Sequence, residues 1–245
     1  GHPEKGGCQL STCWERAGGL AKRRDILIDP AHDFLKDDAY WAEVERRAPY
    51  AGHFALVCTS FSAAHTTPKI RWLDNPVGDQ KNDKVFEGNS MASRVVERCL
   101  MLLEKGSHIL VENPWLSYAW LLPQMLAMIG IPGLYLVRID QCTCGTPFQK
   151  AQVWLTSNPM MVDRAQKCYH PNHAETLVGK GKASQSSVYP EELAEKITEA
   201  WVECRQRKCE VPRETRELAA VIRRRLQKCR EAYPNNPGEI LGDAA

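Results

Sequence analysis

Through the first two thirds of this 245-residue chain, short β-branched or apolar runs alternate with amphipathic stretches, and the runs end in polar residues. That alternation predicts helices packed against a mainly parallel sheet. Strands are expected at Asp25 to Ile28, Phe54 to Cys58, His108 to Val111, Leu134 to Ile139 and Gln152 to Thr156. Helices are expected at Leu10 to Ala17, Ala39 to Arg47, Asn89 to Lys105 and Trp115 to Ile129. In the third of these, Met91, Val95, Val96, Leu100 and Leu103 recur at helical spacing, with Asn89 or Ser90 as the cap. Thr66 to Gly88 carries Pro68, Pro76 and Gly78 among many charges and reads as a long loop.

The length suits one α/β domain with a short appendage, and 43% hydrophobic with 25% charged residues is a globular composition. The longest apolar stretches, around Trp120 to Leu136, are broken by Pro123, Gln124, Gly130, Pro132 and Gly133, so no membrane span is expected. Gly1 to Cys8 lacks the basic-then-apolar order of a secretory signal, which points to an intracellular protein, nuclear or cytoplasmic. Ten cysteines scattered through a chain with its own core-forming segments are expected to be reduced thiols. A formal charge of +2 does not announce a polyanionic partner, so only local clusters bear on one.

Parallel sheets place ligands and catalytic groups beyond the carboxyl ends of their strands. The residues at those positions form a series: Asp29 after Ile28, then Asp33, Cys58 after Val57, Glu112 after Val111, and Lys150 just before the last strand, preceded by the glycine pair Gly6-Gly7. Further on, Cys168, His170 and His173 lie close together, and Cys142 or Cys144 completes a four-ligand set of the type zinc prefers.

Four segments in series carry a resemblance. Cys58-Thr59-Ser60-Phe61-Ser62-Ala63-Ala64 resembles the nucleophile loop of cytosine-5 DNA methyltransferases, and Glu112-Asn113-Pro114 resembles their Glu-Asn-Val motif. Gly145 to Val153 is similar to the family's Gly-x-Pro-Gln-x-Arg-x-Arg-Val segment, with Lys150 and Gln152 standing where arginines are usual. Val188 to Ala194 resembles the helix start that closes the family's catalytic domain. The chain also resembles the divergent methyltransferase-like domains of retroelement and algal polyproteins, which share the Phe-Ser and Glu-Asn-Pro signatures and a late Cys and His cluster.

The resemblance implies a doubly wound, Rossmann-like methyltransferase fold with a small irregular Cys/His insertion and C-terminal helices. Its divisions would be a core over 1–156, a Cys/His loop region over 157–187 holding zinc or a reduced target-recognition region, a closing helix over 188–203 and a basic helical extension over 204–245. It implies S-adenosylmethionine as donor, with Gly6, Gly7, Asp29 and Asp33 holding it, and DNA, or RNA, as partner. The implied chemistry is covalent. Carbon 5 of cytosine is a poor nucleophile, so the Cys58 thiolate would add at carbon 6, Glu112 would stabilise the intermediate at N3, and Lys150 would supply positive charge at the pocket mouth.

Two other readings stay open on the residues alone: a module that keeps the fold and binds nucleic acid without catalysis, and a methyltransferase with another acceptor. The basic stretch from Arg205 to Arg230 fits phosphate contacts. Glutamates interleave with it, and Leu218, Val221, Ile222 and Leu226 give it an apolar side, so it fits a solvated amphipathic helix equally.

Overall fold

The computed structural model describes residues 9–24, 29–62, 69–177 and 188–232. Its helices are α1 (Gln9–Arg16), α2 (Asp38–Arg47), α3 (Asp83–Glu104), α4 (Pro123–Ile129), α5 (Glu191–Gln206) and α6 (Arg213–Ala232); its strands are β1 (Ala51–Ala55), β2 (His108–Pro114), β3 (Tyr135–Asp140) and β4 (Ala151–Thr156). The expected strand Asp25 to Ile28 and the glycine pair Gly6-Gly7 lie outside the described residues.

The strands form one mixed sheet in the order β1-β2-β4-β3. β1 and β2 are parallel, with Ala51 opposite His108 and Ala55 opposite Glu112. β4 is antiparallel to both of its neighbours, pairing Glu112 with Trp154 on one side and Ile139 with Gln152 on the other. Two of the three described pairings are therefore antiparallel, which corrects the expected mainly parallel sheet. The cause is the connection over 141–150, which is shorter than the roughly dozen residues that a parallel crossover needs. β1, β2 and β3 still run in one direction, and β4 is inserted against them.

Alternation along the strands sends side chains to two separate cores. Ile109, Val111, Val153 and Leu155 join the apolar faces of α3, α4 and α6. Leu110, Trp154, Val137 and Ile139 meet α1 and α5 through Leu10, Leu193, Ile197 and Trp201. Helices thus cover both faces of the sheet, as in α/β folds.

Helix α3 starts earlier than its apolar spacing predicts, at Asp83, because the Asn82 side chain accepts from the backbone N–H groups of Lys84 and Val85. Asn89 is no cap; it is buried inside the helix as a polar anchor. The expected helix Trp115 to Ile129 is also shorter. β2 continues through Pro114, a 3-10 turn occupies Tyr118–Leu121, and only Pro123–Ile129 is α-helical, with proline in the first turn. The C-terminal helix α6 docks on α3 and α4 and puts Ala219 and Leu226 into the first core. Its Arg223 binds Glu45 and Glu104 at 2.9 Å, so part of the basic stretch is held in intramolecular ion pairs. No helix among the described residues is long and apolar enough to cross a membrane.

Candidate active site and metal centre

The parallel pair β1–β2 brings two distant segments together at their carboxyl ends. Beyond Ala55, Leu56 N–H donates to Glu112 O at 3.2 Å, and Asn113 Nδ2 donates back to Leu56 O at 2.9 Å. The pairing continues where Tyr118 N–H donates to Phe61 O at 2.9 Å and where Ser62 bridges Ser117. Cys58 sits in this zipped loop, three residues past the strand in which it was expected to end, and is exposed. A tight turn closed by Phe61 N–H on Cys58 O holds its backbone.

A second staple fixes the same loop, and sequence reasoning missed it. The buried Arg71 guanidinium donates to Ser60 O (2.9 Å), Ser60 Oγ (3.1 Å), Pro76 O (2.7 Å), Val77 O (2.8 Å), Val85 O (3.2 Å) and Asn89 Oδ1 (2.9 Å), and lies over the Phe61 ring. Its partners are carbonyl, hydroxyl and amide oxygens, with no carboxylate among the described residues, and burial lowers its pKa to about 10. Gly88 allows this close approach, since a Cβ there would collide with Ser60 Oγ and crowd Arg71. Glycine inside α3 costs about 1 kcal/mol relative to alanine, and only the fit against Ser60 accounts for it.

Lys150 reaches the site because β4 runs backwards. Its antiparallel pairing sets Gln152 opposite Pro114, and Trp115 N–H donates to Ala151 O at 2.9 Å. Lys150 therefore arrives at the carboxyl end of β2, where its charge is felt by both Glu112 and Cys58. The three candidate catalytic residues thus lie at one end of the sheet, near enough for the charge of each to act on the others.

Their electrostatics favour neutral forms. Burial raises the Glu112 carboxyl above its ordinary range, against the opposing pull of Lys150, Gln152 and Tyr189. Burial likewise lowers the Lys150 ammonium, opposed by Glu112 and Cys58. The Cys58 thiol is raised by surrounding protein and by the Glu112 carboxylate, with Lys150 acting the other way. A cysteine nucleophile needs a lowered thiol, so Lys150 is the one group of the three whose charge acts in the activating direction.

Around Glu112 stand side chains from β1, β4 and the segment that precedes α5. Gln152 Nε2 donates to Glu112 Oε1, and the Tyr189 hydroxyl reaches Glu112 Oε2 at 3.4 Å. His53 Nε2 lies 3.3 Å from the same hydroxyl, and its ring stacks on Trp154 with centroids 6.0 Å apart. Tyr189 falls in the segment singled out for its resemblance, but only the fold shows that it meets Glu112. His53 gave no sequence signal, since it precedes the strand expected from Phe54 and is placed on β1 only by the fold.

An acid whose carboxyl is kept neutral by the fold contributes stability below its ordinary range, and this is lost as the pH rises through the raised folded value. Glu112→Gln is therefore expected to be more stable than the wild type at pH 8, by a difference on the order of 1 kcal/mol, and to lose that margin near pH 4. Thermal unfolding at both pH values checks this; a variant less stable at pH 8 would contradict it.

The expected cofactor carboxylates do not fit that role. Asp29 caps the 3-10 turn Pro30–His32 by accepting from Ala31 N–H at 2.9 Å. Asp33 has both oxygens engaged, one by Leu35 N–H at 3.0 Å and one by Lys36 at 3.0 Å, and these bonds lower its pKa. These bonds are the local capping that aspartate favours at turns. An open groove of about 550 Å³ lies against α1 and α5, lined by Ala17, Arg164, Thr198 and Glu203 among others, and none of the candidate site residues borders it.

A second centre lies beyond the β3 end. The ligand atoms of Cys142, Cys168, His170 and His173 all fall within 4.8 Å of one another. Cys168 Sγ is 3.2 Å from His170 Nδ1 and 3.2 Å from His173 Nε2. Tetrahedral bond lengths of 2.0–2.3 Å place neighbouring ligand atoms about 3.3–3.8 Å apart, so the group is close to a coordinating arrangement. Of the two open choices for the fourth ligand the structure selects Cys142. Cys144, the other choice, is turned into the α5-side core, with Lys196 Nζ at 3.6 Å from its sulfur. The 3-10 geometry of Gln141–Cys144 separates the two side chains.

Compared with family models, curated proteins and solved structures, the chain matches none of them.

Proposed function

We propose that this chain is a methyltransferase-like α/β domain that adds a cysteine thiolate to carbon 6 of cytosine in DNA. The observation that carries the reading is the convergence of Cys58, Glu112 and Lys150, from three separate parts of the chain, at the carboxyl ends of two parallel strands. The finer fold assignment, a doubly wound methyltransferase-type domain, is part of the same proposal. Helices on both faces and the common direction of β1, β2 and β3 support it.

The chemistry follows from the three side chains. The exposed Cys58 thiol gives its proton to solvent, and the Lys150 ammonium balances the thiolate. The sulfur bonds to carbon 6, the carbon 5–carbon 6 π pair moves into the carbon 4–carbon 5 bond and the carbon 4–N3 pair onto N3, where Glu112 in its protonated form, which burial favours, delivers a proton that returns to it when the adduct reverses. Carbon 5 becomes enamine-like and nucleophilic. It can take a proton from water; loss of a carbon 5 proton then expels the thiolate and restores the base. The resemblance implies a methyl donor for carbon 5, but Asp29 and Asp33 do not fit its binding, and no step above depends on it. The target must be single-stranded or turned out of the duplex, because its carbon 6 is inaccessible in the stack.

Single-stranded DNA containing 5-azacytosine tests the reading, since a nitrogen at ring position 5 makes carbon 6 more electrophilic and prolongs the adduct. Wild type is expected to give a covalent complex located at Cys58 by peptide mass, and Cys58→Ala none. An adduct that survives Cys58→Ala, or bound DNA with no adduct, would overturn it. The second outcome supports the other reading, a nucleic-acid-binding module without catalysis, which the raised Cys58 thiol favours.

We also propose that the Cys142, Cys168, His170 and His173 group takes zinc. Two thiolates and two imidazoles are the ligand set of closed, structural zinc sites.

A further inference from the structure

We infer that metal at the Cys142–Cys168–His170–His173 centre holds the 141–150 connection in register and so sets the position of Lys150 beside Cys58 and Glu112. The inference rests on the zinc reading above and is independent of the cytosine chemistry.

The connection carries one ligand near its start, is closed end to end by its own backbone, and is bonded to the metal loop at Pro147 and Phe148. Cys142 follows Gln141, whose N–H donates to Lys150 O at 2.9 Å. Across the loop, Glu175 N–H donates to Pro147 O at 3.0 Å, and Phe148 bridges Glu175. Glu175 lies two residues beyond His173, so a metal bound by Cys142 and His173 would close a ring through 142–148, and Lys150 follows two residues later, bonded to Gln141 beside the ligand Cys142. Gly145, at φ +84°, makes the turn in that segment. Cys144 anchors the first half of the connection in the α5-side core, whereas Gly145, Pro147 and Gln149 in its second half are exposed.

The buried Asp140 links the centre to the other wall of the site. Its Oδ2 accepts from Cys168 N–H at 2.8 Å, and the same carboxylate holds Arg138 Nε at 2.8 Å. Arg138 in turn lies over the ring of Trp115, 5.1 Å from its centroid, three residues past Glu112. A carboxylate that orders a ligand's backbone and also orients a neighbouring cation is the kind of outer support that metal sites use. Binding releases the two thiol protons and joins chain segments that otherwise meet only through hydrogen bonds.

The full chain, stripped with a chelator and then given cobalt(II) or zinc(II), tests this. Cobalt is expected to develop tetrahedral visible absorption that saturates at one equivalent in the wild type and in Cys144→Ser, and to be lost in His173→Ala and Cys142→Ser. With zinc, amide hydrogen exchange in a peptide spanning 141–152 should slow at least tenfold, while the α3 segment 95–103 stays unchanged. Alkylation of Cys58 by iodoacetamide, read by peptide mass, should respond to zinc in the wild type and not in Lys150→Met. If metal binds but exchange over 141–152 does not move, the positioning role is wrong and the zinc reading stands. If neither metal binds, both fall. Comparing stripped and loaded wild type requires no variant, so a substitution that fails to fold does not blunt the test.

Discussion

In Glu112→Gln, release of tritium from carbon 5 of cytosine in single-stranded DNA is expected to fall by about 10²–10⁴-fold relative to wild type, and in Cys58→Ala to the uncatalysed background. The proposed adduct makes carbon 5 exchange its hydrogen with water each time it forms and reverses, so the measurement needs no methyl donor. Glutamine keeps the hydrogen-bonding shape facing Gln152 and Tyr189 but cannot deliver a proton to N3. Lys150→Met should lower the rate by about 10²-fold, because the thiolate then forms beside a buried carboxyl with no countercharge. Exchange that persists undiminished in Cys58→Ala would remove the covalent route altogether. The Gln variant should also be the more stable protein at pH 8, so a loss of exchange there cannot be blamed on unfolding.

Arg71→Met is expected to destabilise the fold by about 3–5 kcal/mol, the largest effect of any single substitution considered. Methionine fills much of the volume but removes the donor to the buried Ser60 carbonyl and Asn89 amide oxygen and to the half-buried Pro76 carbonyl, leaving Val77 O only its bond from Asn89 Nδ2. Arg71→Lys should recover little of this, since an ammonium is a point charge and cannot address acceptors on several sides of a planar fork at once. Chemical denaturation measures the cost. A loss under 1 kcal/mol would show that the staple is dispensable. Because Arg71 grips Ser60, two residues from Cys58, a partial loss of stability should be accompanied by faster exchange of the amides over 58–62.

The candidate catalytic residues were legible because acidic and sulfur-bearing side chains directly after apolar strands stand out. Cys58 and Glu112 were found on that ground, and the parallel pairing of β1 with β2 brings them together as the strand rule requires. Lys150 was picked for its place in a resembling segment. Read on the expected parallel sheet it would stand at the wrong end of its strand; only the antiparallel insertion of β4 delivers it to the others. The cofactor carboxylates Asp29 and Asp33 are engaged locally. Asp29 and Asp33 look free in a sequence, but aspartate beside a tight turn binds its own backbone first.

Arg71 was not legible at all. It lies in a stretch of prolines, glycines and charges that reads as a solvated loop, and nothing local marks it as buried. Its partners come from the Cys58 loop, the 76–78 turn and α3, segments whose meeting depends on the whole packing of the first core.

By itself, the sequence determined the kinds of element and most of their places, since helical and strand periodicities are local properties of side-chain spacing. It also named the chemical groups that matter: one thiol, one carboxyl, one amine, and a set of sulfur and imidazole ligands with the fourth member undecided. Tertiary structure alone decided the direction of β4, the choice of Cys142 over Cys144, and the burial of Arg71. Each of these depends on which segments meet in space, and that is a property of chain connection and packing that no window of sequence contains.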